Sequence, residues 1–453
     1  MVEQRLANRD APYVRYVQVD VLRGFAVLGI YWINVFVFAL PETLGHLPSE
    51  LNDDSQLNST IGIFSEVYIE GTMRALFSML FGASALIFLD EARLAASGLD
   101  LVDRYYRRTL LLILFGLIHA YLLLWPYDVL YAYGLFGLFL FPLRKLSART
   151  LLICGIVLLI LGDLQLNGPR TRSDPITALS EVVMQEQQDL SRAGADEPAN
   201  SPPSTAAPVE NESGLAAPDI DTEQFSDEES VEDIRVIVAM AAYRADYATI
   251  FTIQRKMVAE KQSRAIYEEY IFDIGGMMLI GMALWKLGML SGQRARIVYL
   301  ILAAVGYVLG AGTRFVIALF GLGSDPGSIF TAYNLGRLLI TFGHIGLIGL
   351  LCYSGWLKSA VNLLAGVGRM SLTNYLMQTI ISIFLFYGFG FALYAELQRY
   401  QVALIGIGVG LFQIVYSNLW LIWFKHGPLE WLWRSMIYGK TQSIRLGRAK
   451  AVG

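Results

Sequence analysis

Residues 107–141 read RRTLLLILFGLIHAYLLLWPYDVLYAYGLFGLFLF. Residues 110–125 are apolar apart from His119 and the Tyr121 hydroxyl, Pro126 makes a turn, and 129–143 runs back. That spacing predicts two short antiparallel helices crossing a membrane side by side. At ~1.5 Å per helical residue, His119 lies about 9 Å below Trp125 and Tyr133 lies about as deep on the returning helix, so the two can face each other. An ionisable group at that depth costs on the order of 3 kcal/mol, so it normally faces a protein interior or a wet cavity and marks a working site. The alternative is a neutral His119 held by a tyrosine hydroxyl for structure alone, and this segment leaves both open. Asp128, just past the turn, is the second ionisable group of the hairpin.

The rest of the chain repeats this pattern. Of 453 residues, 55% are hydrophobic and 16% charged, with a mean hydropathy of +0.48, and the apolar residues come in long runs bounded by charge. This is the composition of an all-α, polytopic membrane protein and excludes one large water-soluble core. The net charge of −4 carries little information by itself. Cys154 and Cys352 both fall inside predicted spans, which supports neither a disulfide framework nor a cysteine-based metal site. With no HExxH, CxxC or paired-histidine spacing, neither a metal nor a nucleic-acid partner is expected.

About ten membrane helices are predicted, near 20–40, 61–90, 109–125, 128–143, 150–165, 270–290, 297–318, 329–354, 370–392 and 401–424. The first follows Arg5, Arg9, Arg15 and Arg23 without a small-residue cleavage site, so it reads as a retained helix. Joins at 93–108, 144–149, 294–296 and 358–369 are basic, as is the tail after Lys425, whereas 41–60, 126–127 and 320–328 contain no Lys or Arg. Both termini are therefore expected in the cytoplasm, with Arg399 the one clear exception to the charge rule. Four regions follow: an N-terminal membrane bundle (1–166), a long periplasmic loop (167–268), a C-terminal membrane bundle (269–440) and a basic tail (441–453). Within the loop, the Pro-rich and acidic stretch 194–230 has too little apolar surface to fold, while apolar residues at helical spacing in 231–267 predict a helix on the outer mouth.

Polar residues inside the spans mark candidate sites. Glu66, Glu70 and Arg74 stand four apart on one expected helical stripe, where Glu70 and Arg74 neutralise each other or Glu66 serves as a base. Asn374 and Gln378 lie on a stripe with Ser371 and Ser382, and Gln413 and Ser417 stand at comparable spacing on the next span; such stripes often only join helices. In HGPLEWLWRS, Pro428 suits a first helical turn, and Glu430 and Arg434 are four apart on an expected interfacial helix. Arg23, Arg369 and Arg434 each begin or end a helix on the cytoplasmic side, where guanidinium groups chelate phosphate or meet anionic membrane lipids. His344, in mid-span, is a second candidate proton carrier or a packed core residue.

VDVLRGFAVLGIYWINVFVFALP, EGTMRALFSMLFGAS, the 107–137 hairpin, GRMSLTNYLMQTIISIFLFYGFG and GPLEWLWRS together resemble the YeiB-like, DUF418-containing bacterial membrane proteins. The likeness spans nearly the whole chain outside the long loop. It implies membership of a wider group of transmembrane acyltransferases that includes the heparan-α-glucosaminide acetyltransferases. These pass an acyl group from cytosolic acyl-CoA, as co-substrate, to an acceptor across the bilayer, with a histidine at the site. Onto this chain the resemblance carries Arg23, Asn34, Arg74, His119, Asp128, Asn374 and Gln378. Many members have a histidine a few residues before FSMLFG, where this chain has Glu66, so that histidine does not transfer; His119, His46, His344 and His426 remain. The reading is thus an inner-membrane acyltransferase acting on a glycan, lipid or small-molecule acceptor. The alternatives are an exporter of a small anionic or lipid-like molecule and a non-catalytic membrane partner. A second copy of the chain is a further candidate partner.

Overall fold

The computed structural model describes residues 16–41, 55–90, 97–166, 231–320 and 326–446. His46 and the stretch 194–230 lie outside them. All regular structure among the described residues is helical: α1 (Val17–Ala39), α2 (Gln56–Phe64), α3 (Thr72–Phe88), α4 (Leu99–Leu117), α5 (Leu130–Leu143), α6 (Ala148–Leu166), α7 (Val231–Arg244), α8 (Tyr247–Glu260), α9 (Ile271–Lys286), α10 (Arg296–Val305), α11 (Gly312–Phe320), α12 (Pro326–Ser354), α13 (Lys358–Arg369), α14 (Ser371–Phe386), α15 (Arg399–Trp423) and α16 (Pro428–Tyr438). Five runs, Val17–Ala39, Gln56–Phe88, Arg296–Val316, Tyr333–Ser354 and Arg399–Trp423, are long and apolar enough to cross a membrane, and α5, α6 and α14 are shorter apolar helices. Their lipid-suited surface is continuous with this reading: α15, for example, leaves Leu404, Leu411, Phe412, Val415 and Leu419 exposed. Among the described residues the fold is all-α, with the long apolar helices that suit a multi-pass membrane protein.

The helix ends depart from the sequence expectation where side chains satisfy the backbone. Asp246 accepts the Thr249 amide at 3.0 Å and starts α8, which runs through the wider turn Lys261–Tyr270 into α9 without a break. The predicted span 270–290 is therefore the second half of a rod that begins at Tyr247. α4 starts at Leu99 rather than near 109, and its basic first turns are seated on aromatic rings, Arg104 over Tyr438 and Arg108 over Phe81 and Trp433. α14 ends at Phe386, and Ala392 and Ala395 then take positive φ in a compact turn before α15.

α3 and α9 cross at the centre, and two glycines allow it. A Cβ on Gly82 would lie 2.1 Å from the Met278 carbonyl oxygen, and one on Gly281 would lie 1.9 Å from that of Met79. The bundle has two distinct ends. At one, the Ala395 amide donates to Ala39, Phe38 stacks on Trp125, and Arg244 donates to Tyr394 O and pairs with Glu396, so α7 and α8 sit over the turn of the 107–141 hairpin. At the other, Arg108 lies over the Phe88 and Trp433 rings and Lys286 Nζ donates to the carbonyls of Arg144 and Leu146. The basic joins thus gather at the second end.

Candidate functional site

The α4–α5 hairpin forms as its sequence suggests, with one local change. α4 loosens into a wider turn over Ile118–Leu122, and His119 lies in it with no exposed surface. Its Nδ1 is 2.7 Å from Asp128 Oδ1, and its Nε2 is 2.7 Å from the hydroxyl of Thr379 on α14. A carboxylate only accepts, so Nδ1 carries the proton, and Nε2 is the acceptor for the Thr379 O–H. Asp128 is held in turn by the Tyr131 amide, which donates to Oδ2 at 2.8 Å. Gly116 makes room: a Cβ there would lie 2.7 Å from Asp128 Oδ2 and 2.3 Å from the Tyr131 nitrogen. The result is a carboxylate–imidazole–hydroxyl array, fully buried and with its tautomer set.

The ring beside His119 is Tyr375, with centroids 4.8 Å apart. Tyr133 instead turns to α3, where its hydroxyl meets Ser78 Oγ at 2.8 Å and its ring packs on Phe77 and Phe81. Thr379 escaped the sequence reading because it lies about a quarter-turn round α14 from Gln378, beside the polar stripe that drew attention and not on it. On that stripe Asn374 bonds Ser417 and Val367 O, Gln378 bonds Gln413 and Val27 O, and Ser382 meets Tyr31. These bonds tie α14 to α1 and α15. Asn34 is half-buried on α1, and its side chain forms no hydrogen bond among the described residues.

The Glu66, Glu70, Arg74 stripe does not exist. The turn Ser65–Ile69 is wider than α-helical, and Gly71 takes a φ of +70°, so the helix breaks and each group points elsewhere. Glu66 is exposed. Glu70 Oε2 accepts Arg314 Nη2 at 3.0 Å and the Tyr333 hydroxyl, and the Glu70 carbonyl accepts Arg314 Nη1 at 2.9 Å. Arg74 reaches Asp273 at 3.0 Å, and Arg337 takes the other Asp273 oxygen at 2.5 Å. Side chains of α12 bond to carbonyls on both sides of the break: His344 Nε2 donates to Tyr68 O at 3.0 Å and Thr341 to Thr72 O at 3.3 Å. His344 Nδ1 accepts from the Tyr307 hydroxyl at 2.7 Å, so that histidine is a satisfied structural residue. Arg314, Arg337 and Asp273 were missed by sequence reading, although each is a single charge inside an apolar run and the principle that singled out His119 applies to them equally.

At the basic end, Arg369 Nη2 donates to Lys425 O at 3.1 Å and borders a cleft of ≈ 370 Å³ lined also by Val17, Asn362, Gly366, Asn418 and Leu421. Partial burial and the charges of Arg434, Arg369 and Lys425 push His426 down to about 4. Arg23 points elsewhere, to Ser84 Oγ, and stands 3.6 Å from Asp20. Glu430 does not pair with Arg434. Its carboxylate accepts the Leu372 and Thr373 amides at 2.7 and 3.0 Å and the Thr373 hydroxyl at 2.5 Å, capping α14. Among the described residues no group of three His, Cys, Asp or Glu side chains is placed to hold a metal ion.

Residues 284–440, from the end of α9 through α16, match the family model described as "Protein of unknown function (DUF418)". Residues 284–440 are thus a DUF418 region. The whole chain is 29% identical to the uncharacterized protein YeiB of Escherichia coli (strain K12), over 93% of this chain and 96% of YeiB. It is 27% identical to the uncharacterized protein YxaH of Bacillus subtilis (strain 168), over 94% of both chains. A third relative, an uncharacterized 39.9 kDa protein in the amylase 3′ region of Bacillus acidopullulyticus, is 24% identical over 94% of this chain and 95% of its own length. No solved structure matches. The likeness therefore covers both the His119 hairpin and the arginine cluster.

Proposed function

We propose that this protein is an inner-membrane acyltransferase, moving an acyl group from cytosolic acyl-CoA to a glycan, lipid or small-molecule acceptor at or across the bilayer. The observation that supports it is the Asp128–His119–Thr379 array, with its two 2.7 Å bonds and its basic nitrogen aimed at a hydroxyl. In this reading the acceptor's oxygen or nitrogen bonds to the thioester carbonyl carbon and the C–S bond breaks. His119 Nε2 takes the acceptor's proton through Thr379 and returns it to the leaving thiolate, while Asp128 fixes the ring and balances the transient imidazolium. The array is closed, so an acceptor reaches it only when Thr379 or Tyr375 moves. Arg369 and Arg434, with Lys425, form the inner mouth that takes the donor's phosphates. The accompanying topology has about ten crossings, both termini cytoplasmic and the 167–268 segment outside, in keeping with the basic joins sharing one end.

A second reading, export of a small anionic or lipid-like molecule, draws on the helix broken at Gly71 among buried charges, a feature of transporters. The test is binding. Short acyl-CoAs are expected to raise the unfolding temperature of the purified protein, and no stabilisation at concentrations far above a working Kd sinks the acyltransferase reading.

A further inference from the structure

Among the described residues the charges around the α2–α3 break do not balance. Arg74, Arg314 and Arg337 meet two carboxylates, Glu70 and Asp273, and no further counter-charge pairs with these arginines among the described residues. Arg74 Nε and Arg337 Nε are buried without a hydrogen-bond partner. The Arg337 side chain is 4% exposed and that of Arg314 2%, yet Arg74 keeps 41% of its side-chain surface open, so a molecule can reach its guanidinium from outside the packed core. A buried excess charge is strongly unfavourable unless something of opposite sign supplies the balance.

We infer that this cluster binds a monoanionic carboxylate, which seats against Arg74 and completes the set of charges. The count selects the class. One negative charge is missing, so a monoanion neutralises the cluster whereas a phosphate, at nearly two charges, overshoots it. Two oxygens in a plane match the fork of a guanidinium, which a halide does not. Asp273 already shows the geometry, taking one oxygen to Arg74 and the other to Arg337. The incoming carboxylate uses the donors that Asp273 leaves free. The inference stands on residues separate from the His119 array and holds whether or not acyl transfer occurs.

The test exchanges sodium chloride for sodium acetate at constant ionic strength and follows thermal unfolding of the full-length protein in detergent. Acetate is expected to raise the midpoint saturably by a few degrees over chloride, with phosphate giving no more than chloride. Arg74→Gln leaves Asp273 paired with Arg337 and balances the cluster, so it should fold and lose the acetate response; Arg296→Gln, an equal charge change at an exposed site, should keep it. Should Arg74→Gln fail to fold, Arg74→Lys keeps the charge without the fork and should weaken the response. No difference between acetate and chloride, an equal effect of phosphate, or an unchanged response in the Arg74 variant that folds overturns the proposal.

Discussion

Two polar regions lie in the apolar interior, and they are built in opposite ways. The Asp128–His119–Thr379 array is closed: every member has its partner, the histidine has no exposed surface, and one backbone amide holds the carboxylate. The arginine cluster is open: it has more cations than anions, two guanidinium nitrogens without partners, and one arginine with nearly half its side chain accessible. An array whose hydrogen bonds are all made stores a proton position, whereas a cluster with unpaired donors attracts a ligand. Tyr133 stands between them, bonded to Ser78 beside Arg74 and one helical turn past Val129 on the hairpin.

The largest effect should come from unbalancing the open region further. Asp273→Ala leaves Arg74 and Arg337 without their shared carboxylate, and thermal or denaturant unfolding should show a loss of about 3–5 kcal/mol. The closed region should be sensitive to volume instead. Gly116→Ala drives a methyl group into the Tyr131 backbone and should cost about 1–3 kcal/mol by the same measurement, while an equal change at Gly408, where a Cβ meets open space, should cost little. Thr379→Val keeps shape but removes the hydroxyl from His119 Nε2; a loss of about 1–3 kcal/mol, restored by Thr379→Ser, would distinguish hydrogen bonding from packing.

The membrane class and the hairpin were legible because apolar run length and two misplaced ionisable groups need no tertiary information. Asp128 was legible as the hairpin's second ionisable group, but the turn alone left it and a tyrosine as alternative partners for His119. Thr379 was not legible, since it is 260 residues away in sequence and sits on a helix face that carries no pattern. The supposed Glu66, Glu70, Arg74 stripe failed for a different reason: four-residue spacing assumes an unbroken α-helix, and Gly71 is where that assumption ends. Glu430 likewise looked like half of an intrahelical pair, but two unsatisfied amides at the start of α14 are stronger partners than an exposed arginine.

The smallest effect lies outside both regions. His426 is held down to about 4 by burial and by Arg434, Arg369 and Lys425, while an unfolded chain has it near 6.5. Between those values the unfolded state binds the extra proton, so stability should fall as pH drops from about 6.5 towards 4. His426→Asn should flatten that slope. An anion held by Arg369 and Arg434 should do the same, by drawing the histidine back towards its ordinary range.

The direct test of the closed array is turnover. The purified protein, reconstituted in vesicles with a labelled short acyl-CoA on the cytoplasmic side, is compared with its His119→Gln variant, which keeps the size and hydrogen bonding of the ring but cannot take up a proton. If His119 is the base, the variant folds with normal stability and transfers acyl groups roughly a hundredfold or more slowly. A folded His119→Gln protein that transfers at the full rate contradicts the account, and the histidine is then a structural link between the hairpin and α14.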